Sequence, residues 1–268
     1  MRETHNRVKI FHENTLEKDC FKEGNPGVNT LRLATPKPRM IAHRGLSGIE
    51  MENTCSAFVA AGNRTYFGIE TDVHVTKDGQ FIIIHDDTTG RVALDDLRVE
   101  ESTFETLRSL RLCDKDGQRG RKDLGLPSLR EYIQICKKYE KTTVLELKNP
   151  MQPEQIDRII DTIREEGWLE HTIFISFALS NMIHVRHVLP HQKAQYLIEG
   201  SPDWQEVLGA LKQYDLDLDI DWQLLTEQRV RDVHALGKEI NVWTVNGLED
   251  AERLAQWGVD YITTNIIE

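Results

Sequence analysis

Carboxylates alternate along the segment Gly-Ile-Glu-Thr-Asp-Val-His, whose composition is typical of a β-strand. Because successive side chains of a strand point to opposite faces, Glu70 and Asp72 share one face, roughly 7 Å apart along the strand. A second segment, Val-Leu-Glu-Leu-Lys, places Glu146 and Lys148 on one face of another strand. Facing carboxylates repel each other unless a cation lies between them or one is protonated. The three acids therefore indicate a site for a hard cation such as Mg²⁺ or Ca²⁺, with solvated surface charges or a Glu–Lys ion pair as the alternatives.

Two apolar strand candidates each end in a histidine followed by a charged residue, His43-Arg44 and His85-Asp86. An imidazole that titrates near neutrality can act as a base on one side of a reaction and as an acid on the other. Arginine presents planar N–H groups that bind phosphate oxygens in pairs, and Arg44 directly follows the first histidine. One histidine at a strand end is more often structural, but two such ends predict an acid/base pair. The sequence does not decide which histidine is the base.

Two further strand candidates carry residues whose role the pattern leaves open. Asp217, Asp219 and Asp221 alternate along one strand, which fits either a second metal site or an outward-facing charged stripe. We predict the charged stripe. Trp243 comes near the end of the seventh barrel strand. We predict that it forms the apolar wall of a pocket rather than part of the core.

The elements that would position these residues alternate short β-rich segments with longer amphipathic segments. The strand candidates are 39–43, 68–75, 142–148, 172–177, 194–198, 216–221, 240–245 and 261–264. The helix candidates are 53–62, 128–139, 155–166, 204–211, 226–236 and 248–256. Eight strands separated by crossovers long enough for a helix favour a parallel sheet that closes into a barrel. An open doubly wound sheet is the alternative, but no Gly-x-Gly-x-x-Gly follows the first strand.

Two segments depart from this alternation. The turn at 76–79 is typical of a hairpin and leads into an extra strand at 80–85. The charge-rich residues that follow are too many for an ordinary loop, so we predict a small insertion at about 87–126 over one barrel end. Residues 1–38 are polar and end in closely spaced prolines, and we predict a leader that packs on the barrel. The sequence therefore predicts an α/β protein, a (β/α)₈ TIM barrel over 39–268 with an insertion after the second-strand hairpin.

The overall composition excludes several classes of protein. A length of 268 residues fits one closed α/β barrel. The chain has 33 Lys and Arg against 44 Asp and Glu, and this net charge of −11 argues against a nucleic-acid partner. Its aliphatic runs are far shorter than the roughly 20 residues of a membrane-spanning helix. The four cysteines are widely spaced and no apolar signal segment is visible, so we predict a cytoplasmic protein with free thiols.

Taken in order, these segments resemble the glycerophosphodiester phosphodiesterase family over residues 39–265. The matching motifs are His43-Arg44-Gly45, Glu52-Asn53-Thr54, 68–73, 76–79, His85-Asp86, 126–129, 145–148, Ser176-Phe177, 243–246 and 258–260. The resemblance implies a TIM barrel with one divalent cation, Mg²⁺ or Ca²⁺. The site residues it implies are the metal ligands Glu70, Asp72 and Glu146, the acid/base pair His43 and His85, the phosphate contacts Arg44 and Lys148, and the glycerol-side contact Trp243.

The activity that the resemblance implies is metal-dependent hydrolysis of small glycerophosphodiesters to glycerol 3-phosphate and an alcohol. One alternative is an enzyme that acts on lysophospholipids and stops at a cyclic phosphate. Another is a barrel that binds a phosphorylated ligand without turning it over. The sequence does not identify the alcohol, the metal or the oligomeric state.

Overall fold

The computed structural model describes residues 29–34, 38–118 and 120–268, and eight parallel strands form a closed barrel within this range. Strand β1 (Arg39–Ala42) pairs in parallel with both β2 (Gly68–Val75) and β9 (Tyr261–Thr264), which closes the sheet. A further strand, β3 (Phe81–Ile83), runs antiparallel to the end of β2. The remaining strands are β4 (Thr142–Leu147), β5 (Thr172–Ser176), β6 (Ala194–Ile198), β7 (Asp217–Asp221) and β8 (Ile240–Trp243). The predicted (β/α)₈ TIM barrel is confirmed.

Helices connect the barrel strands. They are α1 (Cys55–Gly62), α2 (Phe104–Ser109), α3 (Leu129–Lys138), α4 (Pro153–Glu165), α5 (Leu179–Val188), α6 (Trp204–Tyr214), α7 (Glu227–Ala235) and α8 (Leu248–Trp257). Several begin with a side-chain cap. The Thr54 hydroxyl accepts the Ala57 N–H at the start of α1, and Ser128 forms a capping box with Glu131 at the start of α3.

Helix α5 was not predicted. Its start has no side-chain cap, and its sequence does not separate an apolar face from a polar one. Asn181 is buried beside the apolar residues Met182 and Val185, and its amide donates to the backbone oxygen of Asn149 at 2.8 Å. A buried polar residue inside a short helix removes the periodicity on which sequence-based prediction depends.

The barrel interior is apolar toward the start of the strands and polar toward their end. An inner cluster contains Ile41 and Val144, each two residues before a charged or titratable side chain on the same face, His43 and Glu146. The larger core lies between the sheet and the helices and includes Phe174. The polar residues therefore gather at the C-terminal edge of the strands, where TIM barrels carry their sites.

Residues 86–126 contain helix α2 and an apolar cluster separate from the main core. Val99, Leu107 and Leu124 are buried there against Ile82 of β3 and the nearby Ile84. This packing attaches the segment to β3. Its status as an insertion domain stays a prediction.

Residues 29–34 lie along the last residues of the chain. The Leu31 N–H donates to the Ile266 carbonyl at 3.0 Å, and Leu33 is buried in the main core. Residues 1–28 and 35–37 fall outside the described range, so the packing of the leader as a whole stays a prediction. Cys20 also falls outside it, whereas Cys55, Cys113 and Cys136 are free thiols. Within the described ranges no helix has both the length and the apolar character needed to cross a membrane.

Candidate active site

Three carboxylates meet at the C-terminal edge of β2 and β4. Asp72 lies opposite Glu146 in the parallel register of these strands, and Glu70 precedes Asp72 on the same face. Oxygen atoms from the three side chains lie within 4.8 Å of one another. Glu70, Asp72 and Glu146 are only 3%, 1% and 7% exposed. The structure brings together all three residues that were predicted to bind a metal.

The pKa values of these acids reflect their burial and their mutual repulsion. Burial, followed by the charge of Asp72, raises the pKa of Glu146 to about 8. The same two causes raise the pKa of Glu70 well above its ordinary value. Burial also acts to raise the pKa of Asp72, but Lys148 and Arg44 outweigh it and hold that pKa below its usual range.

One carboxylate oxygen of the cluster accepts no hydrogen bond. Asp72 Oδ1 is buried and has no hydrogen-bond donor among the described residues. Such an oxygen, with two more buried carboxylates beside it, matches the oxygen donors that hard divalent cations prefer. The residues present therefore could hold a divalent cation.

Two cations flank the carboxylates. Lys148 Nζ lies 2.9 Å from Glu146 Oε1 and 3.6 Å from Asp72 Oδ1. Arg44 Nε lies 3.8 Å from Asp72 Oδ2, while the Arg44 backbone N–H donates to Glu70 Oε2 at 2.8 Å. Arg44 has a φ of +55° and the next residue, Gly45, a φ of +76°. This sharp turn directs both the backbone and the side chain of Arg44 toward the cluster.

His43 lies at the end of β1, with its ring held by the last segment of the chain. Its Nδ1 atom is 2.7 Å from Asn265 Oδ1, an acceptor, so Nδ1 carries the proton and Nε2 is free. The Nε2 atom lies 4.0 Å from Glu70 Oε2. Burial, with the charge of Arg44 added, lowers the pKa of His43 to about 4. The ring is therefore neutral at pH 7.

His85 lies on the same cavity, just after β3, and is held by a carboxylate instead of an amide. Its Nδ1 atom is 2.6 Å from Asp86 Oδ1. Asp86 in turn accepts two hydrogen bonds from Arg91, at 2.6 and 3.0 Å. Arg91 donates two more, both 2.8 Å long, to Glu52, which also binds Arg44 at 2.9 Å. A continuous chain of charged hydrogen bonds thus joins the two strand ends.

Sequence reasoning missed several residues that support the site. Asn53 donates to Asp72 Oδ2 at 2.7 Å and accepts from the Thr71 hydroxyl at 2.6 Å. Asn53 belongs to the Glu-Asn-Thr motif, which the resemblance included without assigning it a role. Asn265 and Arg91 lie in loops outside every predicted strand, and no pattern in the sequence pointed to them.

The site opens into a cavity of about 400 Å³. The residues that line it are His43, Arg44, Glu70, His85, Glu146, Lys148, Ile175, Phe177, Leu197, Glu199, Asp219, Trp243 and Thr263. Trp243 and Phe177 form an edge-to-face pair in this wall, with ring centroids 5.7 Å apart. Seven of the eight predicted site residues line the cavity, and the eighth, Asp72, lies behind it against Lys148.

The prediction of an outward-facing charged stripe on β7 is wrong, as its central residue shows. Asp219 is 2% exposed and points into the barrel, where burial raises its pKa to about 8. Alternation along a strand shows which residues share a face but not which face is inside. In a closed barrel the polar face of a strand can line the cavity.

Comparisons with known proteins agree with this geometry. The model of the glycerophosphoryl diester phosphodiesterase family matches residues 43–268. A glycerophosphodiester phosphodiesterase of Caldanaerobacter subterraneus subsp. tengcongensis is 30% identical over 233 residues, which cover 85% of this chain and 94% of the relative.

Solved structures of similar proteins share the barrel. A phosphodiesterase of Oleispira antarctica, solved in complex with its product sn-glycerol-3-phosphate, is 26% identical with a TM-score of 0.74, covering 85% of this chain and 93% of that one. A glycerophosphodiester phosphodiesterase of Parabacteroides distasonis is 27% identical with a TM-score of 0.68, covering 85% and 94%.

Proposed function

Because this chain belongs to the glycerophosphoryl diester phosphodiesterase family and is a phosphoric diester hydrolase, we propose that it converts glycerophosphodiesters to glycerol 3-phosphate and an alcohol. The substrate is a small molecule, and the catalytic residues are His43 and His85. The observation that supports this is the common cavity. Both imidazoles line it together with carboxylates of the acidic cluster and the cations Arg44 and Lys148.

The acidic cluster holds the divalent cation in this proposal, with Glu70, Asp72 and Glu146 as ligands. Bound there, Mg²⁺ or Ca²⁺ supplies the positive charge that neutralises the phosphate oxygens and favours attack on phosphorus. Arg44 and Lys148 add fixed positive charge to the same cavity. Such preorganised charge stabilises the negative charge that grows in the transition state.

His43 is the base and His85 the acid in this proposal. Both rings are tied through Nδ1, which leaves Nε2 toward the reaction. The amide oxygen of Asn265 carries no charge, whereas the carboxylate of Asp86 stabilises an imidazolium. Neutral His43 takes the proton of the attacking oxygen, which belongs to water or to the neighbouring hydroxyl of glycerol. His85 gives its proton to the departing alcohol.

Trp243 contributes the apolar wall beside the glycerol unit of the substrate. Its ring packs edge-to-face against Phe177, which limits its movement. The cytoplasmic location inferred from the sequence stays a prediction.

A substrate panel tests this function. The panel contains glycerophosphocholine, glycerophosphoethanolamine and lysophosphatidylcholine, assayed after treatment with EDTA and again with added Mg²⁺ or Ca²⁺. We expect release of glycerol 3-phosphate that EDTA abolishes and the metal restores. The Asp72→Asn variant should then need a higher metal concentration for activity. Glu227 is an exposed carboxylate on α7, so the Glu227→Gln variant should match the wild type.

Phosphorus NMR of the products separates the alternatives. A cyclic phosphate that accumulates without opening identifies the enzyme that stops at the cyclic ester. Binding of glycerol 3-phosphate with no turnover of any diester, at any metal concentration, identifies a binding protein and contradicts the proposal.

A further inference from the structure

A polar network crosses the side of the barrel interior opposite the acidic cluster. Asn241 of β8 donates to Gln195 of β6 at 3.2 Å and to Asp219 Oδ2 at 3.1 Å. The hydroxyl of Thr263 on β9 donates to Asn241 Oδ1 at 3.0 Å. The amide of Asn241 is therefore engaged at both its nitrogen and its oxygen, and it orients the carboxyl group of Asp219.

Three polar atoms of this side have no hydrogen-bond partner. Gln195 Nε2, Asp219 Oδ1 and Trp243 Nε1 are buried and make no hydrogen bond with residues 29–34, 38–118 or 120–268. Of these residues Asp219 and Trp243 line the cavity, on the adjacent strands β7 and β8. Leaving a buried donor or acceptor unpaired costs free energy, so such atoms next to a cavity indicate a ligand that pairs with them.

The chemistry of these atoms points to a neutral hydroxylated ligand. Burial raises the pKa of Asp219, which leaves its carboxyl group largely uncharged at neutral pH. The cavity cations Arg44 and Lys148 are paired with other carboxylates, at 2.9 Å in both cases. Ile175 and Leu197 supply apolar surface on the same side. An alcohol on a short carbon chain suits both the unpaired polar atoms and this surface.

We propose that Asp219 is a specificity-determining residue that binds a free hydroxyl of the substrate's glycerol unit. This inference rests on the proposed function. The hydroxyl accepts the indole N–H of Trp243 and hydrogen bonds with Asp219 Oδ1, so that one group satisfies both buried atoms. An ester lacking that hydroxyl leaves both atoms unpaired and is rejected.

The test compares the wild type with Asp219→Leu and Asp219→Asn. The substrates are glycerophosphocholine, its 2-hydroxypropyl and 3-hydroxypropyl analogues, each lacking one hydroxyl, and bis(4-nitrophenyl) phosphate, which has none. For the wild type, removal of the recognised hydroxyl should lower kcat/KM about 10- to 100-fold. Asp219→Leu should lower kcat/KM on glycerophosphocholine by a similar factor. In this variant, removal of the recognised hydroxyl should lower kcat/KM no further. Turnover of bis(4-nitrophenyl) phosphate should stay within about twofold of the wild type.

Two variants serve as controls, because an effect on folding or on charge could otherwise be mistaken for loss of hydroxyl recognition. Asp219→Asn retains a polar group of the same shape and should keep most of the discrimination between the analogues. Asp217→Asn changes an acid on the same strand that does not line the cavity, and should match the wild type. Melting temperatures measured for every variant identify any that fails to fold, and if Asp219→Leu is one of them, Asp219→Ala takes its place with the same expected results.

Three outcomes overturn the inference. In the first, Asp219→Leu loses activity equally on all four substrates. In the second, it discriminates between the analogues as the wild type does. In the third, Asp219→Asn loses activity on choline esters but not on glycerophosphoglycerol, which would indicate recognition of a cation. A wild type inactive on every glycerophosphodiester contradicts the proposed function instead, so the two failures are distinguishable.

Discussion

The two histidines of the cavity are tied through the same ring nitrogen but to neighbours of different charge. His43 is 17% exposed and donates to the uncharged amide of Asn265. His85 is 32% exposed and donates to the carboxylate of Asp86. A carboxylate stabilises an imidazolium more strongly than an amide does. Burial lowers the pKa of both rings, and the two differ in the charge of the group that holds Nδ1.

The hydrogen-bond partners of the two histidines also lie in different parts of the chain. The partner of His43 belongs to the barrel itself, since Asn265 directly follows β9. The partners of His85 continue through Asp86 to Arg91, which lies in the segment between β3 and α3. From Arg91 the hydrogen bonds return to Glu52. The segment between β3 and α3 therefore supplies the hydrogen-bond partners of His85, whereas the direct partner of His43 follows β9.

Replacing each histidine should produce the largest effect and should separate the base from the acid. We expect His43→Gln to lower kcat by about 10²- to 10⁴-fold whatever the leaving group, because the attacking oxygen still needs a base. His85→Gln should cost as much with choline as the leaving group, but less than about tenfold with 4-nitrophenol, which departs without a proton. The measurement is kcat on the choline and 4-nitrophenyl esters of glycerol phosphate.

His184 of α5 provides the matched control for these variants. It lies outside the cavity and bonds Asp157 at 2.8 Å, so His184→Gln should keep the wild-type rate on both esters. If the 4-nitrophenyl ester rescues His43→Gln instead of His85→Gln, the two roles are exchanged. If it rescues neither, His85 is not the acid.

Removing the charge of Asp86 should have the next largest effect and should act on His85 alone. Asp86→Asn keeps an acceptor near Nδ1 but loses the carboxylate. Burial lowers the pKa of His85 and the hydrogen bond to Asp86 acts against that shift, so loss of the carboxylate should lower the pKa further. His85 must be protonated to act as the acid, so a lower pKa moves the alkaline limb of the kcat/KM profile to lower pH. We also expect kcat to fall about 10- to 100-fold. Rates at saturating metal between pH 5 and 10 provide the measurement.

The corresponding change beside His43 sharpens the contrast. Asn265→Ala removes an uncharged partner, so it should lower kcat without moving the alkaline limb. An alkaline limb that moves in Asn265→Ala and stays fixed in Asp86→Asn would contradict the proposed difference between the two surroundings.

The core of the site could be predicted because its residues lie on strands. Glu70 and Asp72 share a face by alternation, and parallel strands bring their C-terminal ends to one edge, which adds Glu146 and His43. The predicted barrel and most helices follow from the same periodicities. These rules depend only on local spacing, and the structure satisfies them.

The loop partners could not be predicted because local spacing says nothing about where a loop folds back. Arg91 is 39 residues from Glu52 in the chain, and Asn265 is 222 residues from His43. Asp219 was assigned to the wrong face since alternation does not distinguish the interior of a barrel from its exterior. Positions such as these depend on tertiary structure alone.

Breaking the hydrogen bonds that Arg91 makes with Asp86 and Glu52 should have the smallest effect and should again reach only His85. Arg91→Gln removes the guanidinium that joins Asp86 to Glu52 but leaves the His85–Asp86 hydrogen bond in place. We expect kcat to fall about 3- to 10-fold on the choline ester and to change little on the 4-nitrophenyl ester, because only the acid is displaced. Arg98→Gln, an exposed arginine of the same segment that pairs with Glu101, is the control and should have no effect. An equal loss on both esters would mean that Arg91 supports the phosphate site through Arg44 rather than the orientation of His85.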